Sequence, residues 1–272
     1  QIFPRVLRVR AADGAMVPVP VGGIGSVFTQ PELRGTGVAS ALLERARAEM
    51  QARGLELGVL FAELHDFYGK LGWVLWPRAR PLWRRGDAAA PREPALRIAP
   101  FAPGRDLADA FALQASYTEN VSGTCVRDRA FFEAQLDFAG NPGEDFLVAR
   151  DGAGTLLAYA RGAVFEGMYL VTEVARRAGD AGADALADVV LALMQPRSPD
   201  PLAPEGRPSA ALRGLLVAPC LADAALDAAL DRRGVIRSEF FPRDLMLRVL
   251  APGALERGLG EPRRPDDDAA AW

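Results

Sequence analysis

The sequence predicts an α/β fold of mixed α+β type, laid down twice in tandem. Three observations carry that expectation. An apolar strand, a loop rich in Arg and Gly and an amphipathic helix follow one another directly over Ser26–Leu43. The second half of the chain reads as strand, two helices, three strands, helix, strand, helix, strand, and the first half from its glycine loop onward matches the later part of that order. Between the halves, residues 85–95 (Arg-Gly-Asp-Ala-Ala-Ala-Pro-Arg-Glu-Pro-Ala) have the composition of a linker. The expected division is a first domain over 1–84, a linker over 85–95, a second domain over 96–250 and a charged, Ala-rich flexible tail over 251–272. The first copy is expected to lack its opening strand and helices, since the chain starts at Gln1 close to a strand; the second is expected to be degenerate.

Element by element, strands are expected over 7–10 and 17–29, punctuated by Asp13-Gly14 and Gly22-Gly23. The helix after the glycine loop places Val38, Ala41, Leu42, Ala46 and Met50 on one face and Glu44, Arg45, Arg47 and Glu49 on the other, and Gly54 stops it. A buried strand over 57–62, a short helix over 66–71 ended by Gly72 and a strand over 73–76 follow. In the second half, strands are expected over 96–101, 146–150, 156–165, 168–175, 212–217 and 240–249. Helices are expected over 107–117, 129–138, 183–194 and 222–230, and a Pro-rich loop over 196–208.

Half of the 272 residues are hydrophobic, which allows a substantial core and excludes disorder of the chain as a whole. A net charge of −3 exerts no general pull toward nucleic acid or an acidic membrane surface, and Lys70 is the only lysine. Cys125 and Cys220 lie far apart and His65 is the single histidine, so a His/Cys metal cluster is untenable and no metal is expected. Two free thiols suit a reducing cytosol. No apolar run approaches the ~18 residues of a spanning helix, and no basic-then-apolar leader is present. The expected location is cytoplasmic, with no nucleic-acid or membrane partner; nothing in the sequence speaks to oligomeric state.

The loop carries the chemistry. A turn that opens straight into a helix leaves backbone N–H groups without intrahelical partners. Gly35 and Gly37 lack a Cβ and allow close approach to the backbone, and Arg34 adds a planar positive fork suited to phosphate. Together they form an anion cradle for a pyrophosphate. Gly35-x-Gly37-x-x-Ser40 also resembles a dinucleotide fingerprint with Glu56 near the place of the ribose-binding acid. Against that stand Gln30 to Arg34 between strand and first glycine, the Arg before the glycines and a preceding antiparallel meander instead of a βαβ unit. No Gly-Lys-Ser/Thr follows, which excludes a P-loop.

Phe67-Tyr68-Gly69-Lys70-Leu71-Gly72-Trp73 follows the next strand. With Arg34-Gly35-Thr36-Gly37-Val38-Ala39 it makes an ordered pair of motifs, and the chain over about residues 16–80 resembles the GNAT superfamily of acyl-CoA-dependent N-acetyltransferases. The wording around Gly25-Ser26-Val27 is similar to two-lobed members, the enhanced-intracellular-survival type and fungal lysine acetyltransferases. The resemblance implies an enzyme that moves an acetyl group from acetyl-CoA, a co-substrate, to a primary amine by direct attack in a ternary complex. It implies that the pantetheine arm pairs with the backbone of Val27, Phe28 and Thr29, and that the pyrophosphate sits on the N–H groups of Gly35, Thr36, Gly37, Val38, Ala39 and Ser40 with Arg34 alongside. The hydroxyls of Thr36 and Ser40 are candidates for further hydrogen bonds. Tyr68 matches the family's tyrosine that protonates the departing thiolate, a job a phenol can do because it stays protonated at neutral pH; the bland alternative is a core aromatic beside Phe67 and Trp73.

The amine must arrive neutral, and the base is unassigned. Glu63 and His65 lie nearest in sequence, and an imidazole is the side chain best suited to proton exchange near neutrality; capping or solvation is the bland alternative for both. In some two-lobed relatives the base is a terminal carboxylate, but the polar, irregular end Asp266–Trp272 does not support carrying that role over. Arg176-Arg177-Ala178-Gly179-Asp180-Ala181 formally repeats the loop, yet Asp180 would face the pyrophosphate and no Phe-Tyr counterpart follows. The second copy is therefore expected not to bind cofactor, with Asp180 an N-cap and Glu166 and Glu173 candidates for attracting a cationic amine. Two other functions stay open: a non-catalytic acyl-CoA-binding regulator and an NAD-dependent oxidoreductase.

Overall fold

A computed structural model describes residues 1–11, 13–76, 79–86, 96–136, 144–219 and 223–251. Most of the expected linker and nearly all of the expected tail, as well as Cys220, lie outside them. Two compact units are present: described residues of 1–78, 120–126 and 241–251 form the first, and those of 79–119 and 127–240 the second.

The first unit is built on a six-stranded sheet. β1 (Ile2–Arg10) and β2 (Met16–Ile24) form an antiparallel hairpin, with Val9, Val19 and Val21 buried by alternation. Pro18 and Pro20 lack an N–H, and they are tolerated because pairing with the next strand begins only at Val21. α1 (Val38–Ala52) carries the chain to β3 (Leu57–Phe61), which pairs parallel to β2 from Val21↔Leu57 to Ile24↔Leu60. The helix ends as the sequence predicts: Leu55 N–H bonds the Met50 carbonyl and Gly54 N–H that of Gln51, a Schellman closure. α2 (His65–Gly69) and β4 (Val74–Leu75) follow. Leu43, Leu60, Tyr68, Trp73, Leu75 and Met246 make one buried cluster between helices and sheet.

The second unit holds a seven-stranded sheet. β5 (Arg80–Arg85) precedes β6 (Arg97–Pro100), α3 (Pro103–Thr118), β7 (Thr124–Cys125) and α4 (Arg129–Ala134). Then come β8 (Asp145–Arg150), β9 (Leu156–Phe165), β10 (Met168–Arg176), α5 (Asp180–Leu193), α6 (Ser209–Arg213), β11 (Leu215–Val217), α7 (Ala224–Arg232), β12 (Val235–Phe240) and β13 (Leu245–Val249). The sheet order is β12-β5-β11-β10-β9-β8-β6, whereas β7 and β13 join the first sheet, ordered β4-β13-β3-β2-β1-β7.

Most elements of the second half follow the order expected, but β7 and α6 were not expected, α6 takes the start of the strand expected over 212–217, and the boundaries of the expected domains differ. The strand expected over 240–249 is two strands: β12 ends at Phe240, and β13 inserts between β3 and β4 of the first sheet (Met246↔Leu60 and Met246↔Leu75). In return β5, expected as the end of the first domain, lies between β11 and β12 of the second sheet (Trp83↔Leu216 and Trp83↔Arg237). The first sheet thus receives β7 and β13 from the second half of the sequence, and the second sheet receives β5 from the first. The division at 84 and 96–250 is corrected accordingly. Backbone pairing is indifferent to sequence distance, and Leu245–Val249 can bury Leu245 and Met246 beside β3 as readily as an adjacent strand would.

In the second unit Arg213, fully buried, donates to Asp145 (2.7 Å) and to both oxygens of Asp200, while Tyr169 and Arg197 also reach Asp145. A buried charge held only by partners is costly once a partner is removed. Arg213→Ala, which strands two carboxylates, is expected to destabilise the protein by about 3–5 kcal/mol in urea unfolding; a change under about 1 kcal/mol would refute the network's role.

Candidate functional site

The site begins where two parallel strands part. β2 and β3 are joined as far as Ile24↔Leu60, and beyond it no main-chain hydrogen bond links them among the described residues. β3 turns to its other neighbour: Ala62 N–H bonds the Asp244 carbonyl at 2.8 Å. On the β2 side, Ser26 has φ +56, a left-handed conformation uncommon for a residue with a Cβ. Such outliers gather at functional sites, where the surrounding structure enforces them. The strand expected to continue to Thr29 therefore stops at Ile24, and Val27 and Phe28 run on with their main-chain groups unpaired among the described residues. Phe28 is 72% exposed.

Pro31–Leu33 forms a 3-10 turn, and the chain reaches α1 through Gly35 (φ +78) and Gly37 (φ +87). An added Cβ would meet nothing within 4 Å at either position, so both glycines serve the backbone conformation and leave open space before the helix. Gly37 caps α1 without any side-chain hydrogen bond. The N–H groups of Gly35, Gly37, Val38, Ala39 and Ser40 have no acceptor among the described residues. They are the orphan donors of a helix start, and the helix dipole adds partial positive charge there. Arg34 is exposed and braces the loop through a long contact from Nε to the Thr29 carbonyl (3.4 Å). Thr36 differs from expectation: its hydroxyl donates to the Leu33 carbonyl (2.7 Å), and its N–H points to the same oxygen (3.4 Å). Neither donor of Thr36 is turned outward; the five N–H groups around it are the free ones.

A cavity of about 310 Å³ opens beside this loop between the departing strand and the helix. Val27, Phe28 and Ala39, all expected at the cofactor, line it together with Ile24, Leu42 and Leu43. Leu43 and Ile24 also pack into the cluster that holds Tyr68. Strand end, helix start and Tyr68 thus converge through a single apolar cluster.

Tyr68 is buried, with Phe67 edge-on to its ring at 5.0 Å, and its hydroxyl makes no hydrogen bond among the described residues. Burial raises the phenol pKa, which keeps the O–H protonated at neutral pH. Three residues earlier, His65 contacts the Arg243 carbonyl through Nε2 at 2.5 Å. Glu63 is exposed and accepts the His65 N–H on its backbone oxygen (3.0 Å).

The second copy of the loop is closed from within. Arg176 is bidentate to Asp223 (2.7 Å each) and also donates to the carbonyls of Arg177 and Gly179. The carboxylate of Asp223 occupies the fork an anion would need. Asp180 is the first residue of α5 and Gly179 the cap, which corrects the expected Asp180 N-cap. Glu173 is paired with Arg127 (2.7 Å) and Tyr159, so it holds no spare charge for an amine; Glu166 sits in the turn between β9 and β10 with φ +49. The left-handed turn at Ser26 escaped the sequence reading, and so did the break in the strand expected over 240–249 that places Arg243 and Asp244 against α2 and β3. The Pro242 break after Phe240 was the one available signal for the latter.

Residues 6–76 match the model of the acetyltransferase (GNAT) domain family. Several solved structures share the fold. A probable N-acyltransferase of Enterococcus faecalis is 15% identical with a TM-score of 0.61, over 92% of this chain and 58% of that one. A GCN5-related N-acetyltransferase of Anabaena variabilis is also 15% identical, with a TM-score of 0.61, over 94% and 61%. Eis1 of Mycobacterium abscessus is 17% identical with a TM-score of 0.58, over 95% and 62%. The chain spans about three fifths of the length of these structures. No curated protein matches it. No group of His, Cys, Asp and Glu among the described residues is arranged to hold a metal, and no described helix is long and apolar enough to cross a membrane.

All four tyrosines of the chain, Tyr68, Tyr117, Tyr159 and Tyr169, have raised phenol pKa values with burial as the leading cause. A raised folded-state value stabilises fully below the ordinary phenol pKa of about 10 and is lost as pH climbs through the folded values. Phenolate absorbance of the native protein should therefore lag that of the urea-unfolded chain as pH rises past about 10. Coincident curves would contradict this burial.

Proposed function

We propose that this protein is an acyl-CoA-dependent N-acyltransferase that moves an acetyl group from acetyl-CoA to a primary amine by direct attack in a ternary complex. The observation that carries the reading is the set of five N–H groups without an acceptor among the described residues at the head of α1, a helix whose Leu43 packs in the same cluster as the buried phenol of Tyr68. Anions are favoured at such a helix start, and a diphosphate can bridge several of these donors while Arg34 approaches from the exposed side. Val27 and Phe28 offer unpaired main-chain groups to an extended amide-bearing arm in the manner of an added strand.

When bound, acetyl-CoA supplies an activated thioester. Tyr68 holds the proton that the sulfur leaving group needs, and its raised pKa keeps that proton in place until charge develops on sulfur. The apolar packing of Leu43, Leu60 and Met246 around the phenol excludes water from it. Only the amine nitrogen and the thioester carbon form a new bond, so no residue of the chain becomes acylated. The wide approach from β2 to α1, over Gly25 to Gly37, disfavours a dinucleotide fold, where a tight turn joins strand and helix.

Acetyl-CoA is expected to raise the melting temperature, whereas NAD is not. Free thiol should then appear when spermidine, a lysine-containing peptide or kanamycin is added. Tyr68→Phe should keep the thermal shift and lose about 10²–10⁴ in kcat. Gly37→Val, which forces a β-branched residue to a positive φ, should weaken acetyl-CoA binding about tenfold or more, ~1.4 kcal/mol. Absence of any shift with acetyl-CoA would refute the assignment; a shift without thiol release from any amine would favour a binding protein.

A further inference from the structure

We infer that His65 is the proton acceptor for the attacking amine and that β13 holds it in the required tautomer. The inference rests on the acyltransferase reading for its chemistry and on separate geometry for its tautomer. His65 Nε2 lies 2.5 Å from the Arg243 carbonyl. A carbonyl oxygen only accepts, so Nε2 must carry the hydrogen and donate it. In the neutral ring Nδ1 then bears the lone pair, and Nδ1 makes no hydrogen bond among the described residues. A histidine with one nitrogen pinned and the other unpartnered is set up to accept a proton.

Its place in the fold supplies the second argument. His65 and Tyr68 are three residues apart on α2, which puts them on the same side of one helical turn, with Cβ atoms about 5–6 Å apart by helix geometry. An acid and a base separated by one turn match an acyl transfer, where nitrogen gives up a proton and sulfur takes one. In the balanced step the amine nitrogen bonds the thioester carbon and the C–S bond breaks. The nitrogen's proton passes to His65 Nδ1, and the sulfur receives the proton of Tyr68. Solvent then returns a proton to the phenolate and removes one from the imidazolium, so the net products are amide and free thiol. The charged and titratable groups around His65 are Glu63, Asp66 and Tyr68 on its own segment and Arg243 and Asp244 at the head of β13. Arg243 and Asp244 belong to the segment that leads into β13, and the hydrogen bond to the Arg243 carbonyl spans 178 positions of sequence. The base of the first unit is therefore oriented by the far end of the chain.

His65 is the only histidine in the sequence, so the imidazole can be observed without ambiguity. A long-range proton–nitrogen NMR spectrum of the full chain should show one ring, in the Nε2–H tautomer at neutral pH and above. His65→Gln keeps a donor for the Arg243 carbonyl and removes the lone pair. It should retain the acetyl-CoA thermal shift, lose about 10²–10⁴ in kcat with spermidine as acceptor and abolish the fall of kcat/KM at acid pH. An Nδ1–H tautomer, or wild-type turnover by His65→Gln, would overturn the inference. If the variant does not fold, the tautomer and the acid fall of the wild-type profile decide the matter in the same way. A wild-type protein that shows the Nε2–H tautomer yet ignores acetyl-CoA would refute the acyltransferase reading and leave the geometry of His65 intact.

Discussion

The separation of β2 from β3 past Ile24 and Leu60 is the constraint on which the first unit's chemistry depends. Two parallel strands that stayed paired would consume the main-chain groups of Val27 and Phe28. Separation is enforced from both sides. Ser26 turns the β2 chain away in a left-handed conformation, and Ala62 hands its N–H to Asp244 of β13 instead of to the neighbour it has left. An unpaired backbone group is tolerated only where water or a ligand can satisfy it. The five orphan N–H groups at the head of α1 obey the same rule.

β13 is consequently more than an extra strand. It completes the hydrophobic cluster through Met246, and Arg248 pairs with Glu44 of α1 at 2.8 Å. Its leading residues receive the Ala62 N–H and the His65 ring. A sheet position beside β3 filled by residues 245–249 ties the order of the first unit to the last part of the chain. The reciprocal placement of β5 beside β11 does the same for the second sheet through Trp83, which is buried there.

Much of this was legible in the residues. Gly35, Gly37 and Gly54 announced the loop and both ends of α1, because each occupies a positive φ that other residues resist. Of the face expected for that helix only Met50 is fully buried, since Val38, Ala41 and Leu42 are exposed and Leu43 takes the core position instead; Leu156–Phe165 appeared as a strand with the limits it has. Tyr68 was found through its position in a motif, and packing around Leu43 explains why it is also a core residue. What stayed hidden were interactions between distant segments. Nothing in Leu245–Val249 distinguishes pairing with β3 from pairing inside the second sheet, since a half-buried strand reads alike in either place. Arg80–Arg85, with Pro81 and three arginines, was assigned to the end of the first domain with no element of its own, and only pairing with β11 and β12 shows it as a strand with Trp83 buried.

The two copies of the Arg-x-x-Gly-x-Gly/Ala loop show why a motif needs its surroundings. In the first, Arg34 is exposed and nothing acidic pairs with it among the described residues, so its guanidinium remains available to an incoming anion. In the second, Arg176 has the same place before a helix, and Asp223 takes both of its parallel donors while also capping α7 and accepting from Tyr117. A buried bidentate pair of this kind is not displaced without leaving a stranded charge. The second loop has turned the anion site inward and uses it to join β10, α7 and α3. One arrangement of residue types thus leaves the arginine open to solvent in the first loop and makes it a structural clamp in the second, where a carboxylate of the same chain arrives first.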